Sequence, residues 1–266
     1  MIRLDKYLAD MSVGTRSEVK KIIKQGRVCV NGNTADRPEI KIDSDKDLVE
    51  VDGETVGYTV NEYFMLNKPA GYVSATRDNE HKTVLELITD SKKSDLFPVG
   101  RLDIDTEGLL IITNDGELSH KLLSPKKHVD KTYFVIAKGE VTQGDILSLE
   151  NGLDIGDEKE TLPAKVANCN IVRWSELESH HEKICACLSK DKIYNDINVE
   201  EEMWTCLEFT IHEGRYHQVK RMMAAVGKPV VYLKRVSMGK LFLDETLDYG
   251  EYRELTSEEL NSLRDC

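Results

Sequence analysis

The chain has 266 residues, of which 40% are hydrophobic and 32% are charged, and its formal net charge is −12. This length allows a sizeable core and two domains, whereas no apolar run approaches the roughly 20 residues that span a bilayer. The N-terminus lacks the apolar segment of a signal peptide, so we expect a cytoplasmic protein without a membrane partner. Its six cysteines have no framework spacing, which favours free thiols over disulfides.

The charges are distributed unevenly along the chain. Residues 1–35 hold seven basic and three acidic side chains, a net charge of +4, so the remainder carries −16. An acidic total disfavours a nucleic-acid partner. A basic segment at one end of an acidic chain, however, indicates a local anionic partner.

Residues 1–57 predict a small α+β domain. Apolar residues recur at helical spacing from Leu4 to Met11, and a second helix over 18–25 follows a cap at Thr15 or Ser17. Two short strands each lead into a turn, one at Asn31-Gly32 and one at Asp52-Gly53. The second helix has a lysine-rich outer face, which is either a solvated face or a binding surface.

Three segments of this domain resemble S4 RNA-binding domains: Arg3-Leu-Asp-Lys-Tyr-Leu, then Thr15-Arg-Ser-Glu, then Ile22 to Gly32. The resemblance implies that the basic residues face RNA phosphates, in a contact that depends on the shape and backbone of the RNA. The implied contact residues are Arg3, Arg16, Lys20, Lys21, Lys24 and Arg27.

Residues 58–62 have no strong pattern and are predicted to link this domain to a second one, 63–262. Many short strands with few helices predict an α+β class with a mixed, mainly antiparallel sheet. The residues 154–173 alternate weakly and predict a strand pair. The segment 63–73 is predicted to be an apolar strand that meets a turn at Lys68-Pro-Ala-Gly71. Further strand-like segments are 96–99, 109–113, 131–137, 206–212, 230–233, 239–243 and 250–255. The predicted helices are 83–88, 117–123, 141–151 and 216–226, with a short terminal helix after Thr256.

The residues 174–203 are acidic and weakly periodic, and we interpret them as an insertion. They contain His180, His181, Cys185 and Cys187, which have no zinc-finger spacing. We therefore expect surface residues there and no metal site.

The segment Gly100-Arg-Leu-Asp-Ile-Asp-Thr-Glu-Gly-Leu-Leu110 lies between two predicted buried strands. It places Arg101, Asp103 and Asp105 in a loop bracketed by glycines. Loops held by a rigid scaffold often carry catalytic residues. On spacing alone, Asp103 is equally well explained as a cap of a backbone amide.

Four segments of the second domain, in order, resemble the RsuA group of pseudouridine synthases. They are Tyr63 to Val73, Gly100 to Leu109, Lys131-Thr-Tyr133 and Glu213 to Met222. Together with the S4-like domain, the resemblance covers nearly the whole chain. It implies that a uridine is isomerised in RNA: the N1–C1′ bond breaks, the base turns over, and C5 joins C1′. No redox change or group transfer occurs, so we expect no cofactor.

The first and last of these segments look most similar to the enzymes that act on 16S ribosomal RNA. We therefore expect this RNA as the partner, either naked or within a partly assembled small subunit, and a monomeric enzyme. The relatives that modify 23S RNA are the near alternative.

The resemblance also implies roles for individual residues. Asp103 is the catalytic carboxylate, Arg101 helps to hold a flipped base out of the RNA stack, and Tyr133 lies against the uracil face. Lys220 pairs with Asp103 and keeps it ionised. The family more often has Arg at that position, so Arg221 is the reserve candidate. The remaining implied site residues, which orient loops or RNA, are Lys68, Arg215 and His217.

Three other functions remain open at this level. Asp103 and Asp105 match the Asp-x-Asp motif of haloacid-dehalogenase phosphatases, but Glu107 stands where Thr or Val is required, and no Rossmann-like alternation is visible. A non-catalytic RNA-binding or ribosome-assembly protein would account for the S4-like domain alone. A glycosylase would require a second acid or base, for which Asp105 is the nearby candidate; we otherwise expect Asp105 to stabilise the turn.

Overall fold

The structure is a computed structural model that describes residues 1–266 except 12, 45, 59–60, 92–94 and 191–196. Backbone proximity divides the chain into two compact units, Met1–Glu62 with Ile88–Leu96, and Tyr63–Leu87 with Phe97–Cys266. Part of the predicted linker, residues 59–60, lies outside the described residues. Within the described residues, no helix combines the length and apolar character needed to cross a bilayer.

The described residues of the first unit form two helices and six short strands. In chain order its elements are β1 (Ile2–Arg3), α1 (Leu4–Asp10), α2 (Arg16–Lys24), β2 (Val28–Val30), β3 (Asn33–Thr34), β4 (Lys41–Ile42), β5 (Val49–Val51) and β6 (Glu54–Thr55). A reciprocal cap starts α2: Thr15 Oγ1 accepts a hydrogen bond from the Glu18 amide, and the Glu18 carboxylate accepts one from the Thr15 amide. The apolar side of α2, Val19 and Ile23, is buried in the core of this unit.

Two tight turns shape the main sheet of the first unit, whose strand order is β3-β2-β5-β6 and whose pairs are all antiparallel. Asn31 and Gly32 have φ of 52° and 76°, and Asp52 and Gly53 have φ of 52° and 86°. Positive φ at both central residues is what a two-residue type I′ hairpin requires. The two strand-and-turn predictions agree with this arrangement.

The second unit is built around one nine-stranded sheet. Its strands are β7 (Tyr63–Lys68), β8 (Phe97–Pro98), β9 (Glu107–Thr113), β10 (Lys131–Lys138), β11 (Lys165–Arg173), β12 (Met203–Ile211), β13 (Val230–Met238), β14 (Leu241–Phe242) and β15 (Tyr252–Glu254). Its helices are α3 (Gly116–Leu123), α4 (Gln143–Asn151), α5 (His181–Leu188), α6 (Gln218–Ala225) and α7 (Ser257–Arg264).

The strand order is β11-β12-β10-β13-β9-β7-β15, with β14 paired to β13 and β8 paired to β9. Among the described strand pairs of this sheet, β13–β9 alone is parallel, so the predicted α+β class with a mixed, mainly antiparallel sheet is confirmed. A doubly wound parallel sheet, which the phosphatase alternative requires, is not the arrangement of these strands. The central strand β9 is buried along its whole length, which explains its continuous apolar sequence.

The structure corrects three local predictions. The helix predicted over 83–88 is a single 3-10 turn, Val84–Leu87, next to an isolated bridge between Val73 and Thr83. The strand pair predicted over 154–173 is the single strand β11, because residues 159–160 bind the Arg215 side chain through their carbonyl groups. Strand β13 runs five residues beyond the predicted end at Leu233, through charged residues that look like a loop.

The predicted insertion is only partly a surface segment. The residues 174–190 form two 3-10 turns and α5, and α5 buries Ile184 and Leu188 against the sheet beside Trp204. Cys185 is exposed as predicted, but His180, His181 and Cys187 are half-buried. The imidazole of His181 stacks on Trp174 at 3.9 Å, which is why that side chain is not at the surface. Residues 191–196 of this prediction lie outside the described residues, and its last part, 197–203, packs Ile197 and Val199 against the same core and ends at the start of β12.

Candidate active site

A cleft of about 710 Å³ opens on one face of the large sheet. Its floor consists of side chains from β10, β12 and β13, among them Tyr133 and Leu233. One wall is the loop 100–106, and another is the segment 213–219, which leads into α6. Two of the predicted motif segments therefore face each other across the cleft.

One buried cation, Lys68, holds the backbone of the loop 100–106 in position. The Nζ atom of Lys68, a fully buried residue, donates to the backbone carbonyl groups of Asp103 at 3.1 Å, Ile104 at 3.4 Å and Thr106 at 2.8 Å. Burial lowers the pKa of Lys68 to about 8, against the opposing charges of Asp105, Glu107 and Asp103. Lys68 thus organises the backbone that carries Asp103 without touching its carboxylate.

A second contact holds the same loop from the side. Ser74 Oγ donates to the Leu102 carbonyl at 3.0 Å and accepts from the Leu102 amide at 3.1 Å. The Gly71 amide donates to the Ile104 carbonyl at 2.7 Å. The position of Asp103 is consequently determined by a network of backbone hydrogen bonds, which is how a reacting group is pre-organised.

Two cationic or ionisable side chains of the opposite wall approach the Asp103 carboxylate. Lys220 Nζ lies 3.4 Å from one carboxylate oxygen, and His217 Nε2 lies 3.4 Å from the other. The side chain of Asp103 is 25% exposed, so its carboxylate faces the cleft while remaining close to its partners. This arrangement leaves a carboxylate accessible to a ligand.

Lys220 is shared between two carboxylates. Its shorter contact, 2.6 Å, is to Asp105 Oδ1. Partial burial tends to raise the pKa of Asp105, but the hydrogen bond and charge of Lys220 outweigh it and hold the pKa below its ordinary value. Asp105 therefore anchors the ammonium group of Lys220 beside Asp103, in addition to lying in the turn where the sequence places it.

The segment before α6 is held by its own network. The Gln218 side chain donates to Glu213 Oε1 at 2.8 Å and accepts from the Arg215 amide at 3.0 Å. Arg215 in turn donates to Glu213 Oε2 at 3.0 Å and to the carbonyl groups of Lys159 and Glu160. Arg215 is therefore used to join the segment to the 157–160 loop.

The other predicted site residues are placed as follows. Arg101 is exposed on the cleft wall, and Tyr133 lies on the floor, 8% exposed. Arg221, the reserve partner for Asp103, instead forms an ion pair with Asp157 at 2.6 Å. The structure thus brings Asp103 together with Lys220 and His217, but not with Arg221.

Several residues of the site were not predicted as site residues from the sequence, among them Ser74, Lys131, Gln218 and Arg235. Arg235 lines the cleft and is 2% exposed, and Gln218 is 3% exposed. Arg235 was missed because the Lys234-Arg235 pair looks like the end of a strand. No apolar alternation in the sequence marks this position, because the buried alternate positions 233, 235 and 237 hold Leu, Arg and Ser.

The predicted RNA-contacting residues of the first unit are all exposed. Arg16, Lys20 and Lys24 follow one another at intervals of four residues along α2, so they form a row on one side of the helix. Arg3 and Arg27 are instead paired, with Asp5 at 2.9 Å and Asp52 at 2.8 Å. In the described part of the chain, the row on α2 has no ion pair, so its charges are available to an anionic ligand.

Within the described residues, no group of three or more His, Cys, Asp or Glu side chains is arranged to hold a metal ion. The ionisable groups that the structure places together in the cleft are the Asp103 carboxylate, the Lys220 ammonium group and the His217 imidazole.

The fold agrees with comparisons with known proteins. A family model described as RNA pseudouridylate synthase matches residues 62–225, and a model of the S4 domain matches residues 2–49. The chain belongs to the RNA pseudouridylate synthase family. The resemblance predicted from four motifs and an S4-like domain is confirmed, and the protein is an RNA pseudouridine synthase, an isomerase.

Relatives of this synthase match along their whole length. It is 44% identical over 265 residues to a protein of Bacillus subtilis (strain 168) named as the uncharacterized RNA pseudouridine synthase YtzG, covering 99% of each chain. It is 38% identical over 263 residues to ribosomal small subunit pseudouridine synthase A of Vibrio vulnificus (strain CMCP6), covering 98% of this chain and 99% of the relative. A crystal structure of a pseudouridylate synthase, 34% identical, superposes with a TM-score of 0.60 and covers 99% and 100% of the two chains.

Removal of the shared cation gives a first test of the site. We expect Lys220→Met to lower the single-turnover rate of the synthase about 10- to 150-fold, because a hydrogen bond to a charged group contributes about 1.5–3 kcal/mol. Lys220→Arg keeps the charge and should recover most of the rate. Arg221→Met is the matched control, since Arg221 contacts Asp157 and not Asp103. An equal loss in both methionine variants would contradict the assignment of Lys220.

Proposed function

We propose that this synthase converts one uridine of 16S ribosomal RNA to pseudouridine, with Asp103 as the catalytic carboxylate. The observation that carries the proposal is the placement of Asp103. Its carboxylate faces the cleft, 3.4 Å from both Lys220 and His217, on a loop fixed by Lys68 and Ser74. The choice of 16S RNA is supported by the relatives named as small subunit synthases.

The reaction requires access to the glycosidic bond of the target nucleotide. A stacked uridine hides C1′, so the base has to leave the stack and enter the cleft. The cleft volume of about 710 Å³ is large enough for a nucleoside. Arg101 is exposed on the cleft wall, where it can contact the RNA stack that the flipped base has left. Tyr133 on the floor offers an aromatic surface for the uracil.

Asp103 then acts at the ribose. As an ionised carboxylate it either attacks C1′ or removes the proton from C2′ while the N1–C1′ bond breaks. The ammonium group of Lys220 lies 3.4 Å from this carboxylate, and Asp105 keeps that ammonium group in place. The base turns over and C5 bonds to C1′, which either displaces the Asp103 oxygen from C1′ or is accompanied by return of the proton to C2′. C5 then loses its proton and N1 gains one, so the net change is an isomerisation.

The first unit supplies binding that does not depend on the reacting base. The row Arg16, Lys20 and Lys24 on α2 presents three exposed charges at one-turn intervals. Phosphate contacts of this kind position RNA without reading its sequence. They also explain how a chain with a net charge of −12 can bind a polyanion, since the binding surface is local.

Salt dependence tests this role of α2. We expect the double variant Lys20→Gln, Lys24→Gln to bind RNA more weakly and to reduce the slope of log K against log salt concentration by about 1 for each contact removed. The single-turnover rate at saturating RNA should stay unchanged. Lys46→Gln is the control, because Lys46 is an exposed cation of the same unit that already pairs with Asp43. An unchanged salt slope in the double variant would show that α2 does not contact phosphates.

Pseudouridine mapping tests the proposed substrate. Ribosomal RNA from cells that lack the synthase, and from cells rescued with the wild-type chain, would be labelled with carbodiimide and analysed by primer extension. One 16S site that is lost on deletion and restored by the wild-type chain is the expected result. A lost site in 23S RNA would leave the reaction intact and overturn the choice of 16S RNA. A change in neither RNA would exclude both ribosomal RNAs.

A further inference from the structure

Two cations lie buried at the floor of the cleft, and the reaction scheme above does not use them. Lys131 is 7% exposed and Arg235 is 2% exposed, and both line the cleft. Lys131 is two residues from Tyr133 on β10, and Arg235 is the cross-strand partner of Tyr133 on β13. The two cations therefore flank the aromatic side chain that is proposed to contact the uracil.

Neither cation forms an ion pair within the described residues. Lys131 Nζ donates to the Val129 carbonyl at 2.8 Å, and Arg235 Nε donates to the Leu109 carbonyl at 2.8 Å. The Nη2 atom of Arg235 has no hydrogen-bond partner among the residues that the structure describes. The acid nearest in sequence to Lys131 is Asp130, whose carboxylate lies 2.7 Å from His212 Nδ1.

This arrangement is unfavourable in the absence of a ligand. Burial and the charge of Arg235 lower the pKa of Lys131 to about 8, against a smaller opposing effect of Asp130. Burial also lowers the pKa of Arg235, against the effect of Tyr133. Two like charges in a poorly solvated place, with an unfilled donor, cost folding free energy. Such costs are typical of functional sites, where an incoming anion compensates for them.

Glycosidic cleavage generates such an anion. When the N1–C1′ bond breaks heterolytically, its electron pair leaves with the base, and the uracil becomes an anion whose charge is spread over N1 and the carbonyl oxygens O2 and O4. The charge is removed again when a ring electron pair forms the C5–C1′ bond, C5 loses its proton and N1 takes up a proton. Fixed cations aimed at a charge that develops only during reaction lower the barrier most effectively.

We propose that Lys131 and Arg235 form a cationic site that stabilises the uracil anion released by cleavage, through donation to its carbonyl oxygens. The inference rests on the proposed isomerisation of a uridine in this cleft. It assigns the two residues to the leaving base, whereas Asp103 acts at the ribose. An RNA phosphate is the other oxyanion that the pair could bind, but a phosphate at the floor would have to draw the backbone to the depth of Tyr133.

The acidity of the base provides the test. Fluorine at C5 makes uracil more acidic and stabilises its anion, so a 5-fluorouridine target depends less on outside stabilisation. Single-turnover loss of the N-glycoside would be measured by mass spectrometry of nuclease digests, for uridine and 5-fluorouridine RNA. We expect Lys131→Met to slow the uridine reaction about 10²- to 10³-fold, the range for loss of an oxyanion donor. Its deficit with 5-fluorouridine should be at least about tenfold smaller.

Three comparisons make this result specific. Lys131→Arg keeps a cation and should restore most of the rate. Lys138→Met, on the same strand but outside the cleft lining, should behave as wild type. Equal deficits of Lys131→Met with the two RNAs would overturn the inference, and a loss confined to the RNA dissociation constant would assign the pair to a phosphate instead.

A measurement without variants covers the case in which Lys131→Met does not fold. 5-Nitrouracil is an anion at neutral pH, and uracil is neutral. We expect 5-nitrouracil to inhibit the wild-type synthase at least about tenfold more strongly than uracil does; equal inhibition would contradict the inference. If the wild-type chain isomerises no uridine at all, the proposed function fails, and this outcome is distinct from equal inhibition of an active enzyme.

Discussion

Asp103→Asn is expected to lower the isomerisation rate by at least about 10⁴-fold, a loss typical of removing a group that reacts directly with the substrate. An amide can neither form a stable bond to C1′ nor accept a proton from C2′, whereas it keeps the shape of the side chain. The loop should keep its position, because Lys68 and Ser74 hold the backbone and not the carboxylate. The measurement is single-turnover conversion of the target RNA by the purified variant.

Asp105→Asn is the matched control for this variant. It lies two residues away, contacts the same ammonium group at 2.6 Å, and is not part of the cleft lining. We expect a reduction of about tenfold or less, through weaker anchoring of Lys220. RNA affinity of both variants should remain within about threefold of wild type, since a carboxylate contributes nothing favourable to phosphate binding. If Asp103→Asn retained activity while Asp105→Asn lost it, the catalytic carboxylate would be Asp105.

Gly108→Ala is expected to have the largest effect on stability, a decrease of about 3 kcal/mol or more in the free energy of unfolding. Gly108 has φ of +97°, a conformation that side chains other than glycine rarely adopt. An added Cβ atom would lie 2.2 Å from the Arg235 carbonyl oxygen. Because Gly108 pairs with Arg235 in the single parallel ladder of the sheet, relief of the clash requires separation of β9 from β13.

Urea denaturation of the two purified proteins measures this change. Gly116→Ala is the control, since Gly116 is the first residue of α3, has no positive φ, and an added Cβ atom would meet nothing within 4 Å. There we expect no loss, and a gain of up to about 1 kcal/mol from the reduced freedom of the unfolded chain. A Gly108→Ala protein as stable as wild type would show that the β9–β13 contact is looser than the structure indicates.

Gly108 also illustrates why the segment Gly100 to Leu110 has a recognisable sequence. The residues Gly100 to Leu110 are a recognisable segment because several of them are constrained at once: Asp103 faces the cleft, Thr106 contributes a carbonyl group to Lys68, and Gly108 permits the approach of β13. The resemblance to a family could be established from such a segment. The structural role of each residue in the segment could not be inferred in this way, because the residues that it contacts are distant in the sequence.

The two helices and two hairpin turns of the first unit could be predicted because their signals are local. The reciprocal cap at Thr15 and Glu18 and the Asn31-Gly32 turn act over at most three residues. The strand pair predicted over 154–173 failed for the opposite reason. Its first half is bound by Arg215, more than fifty residues later in the chain, and no local pattern reports such a contact.

The sequence by itself determined the α+β class, the family and the identity of the candidate carboxylate, because periodicity, turn residues and motif order are properties of short segments. Only the tertiary structure decided which cation lies next to Asp103. Lys220 and Arg221 are adjacent in the chain, but Lys220 contacts Asp103 and Asp105, whereas Arg221 contacts Asp157. The tertiary structure also placed Lys131 and Arg235 beside Tyr133. Such relations depend on strand register and side-chain direction, which bring together residues that are far apart in sequence.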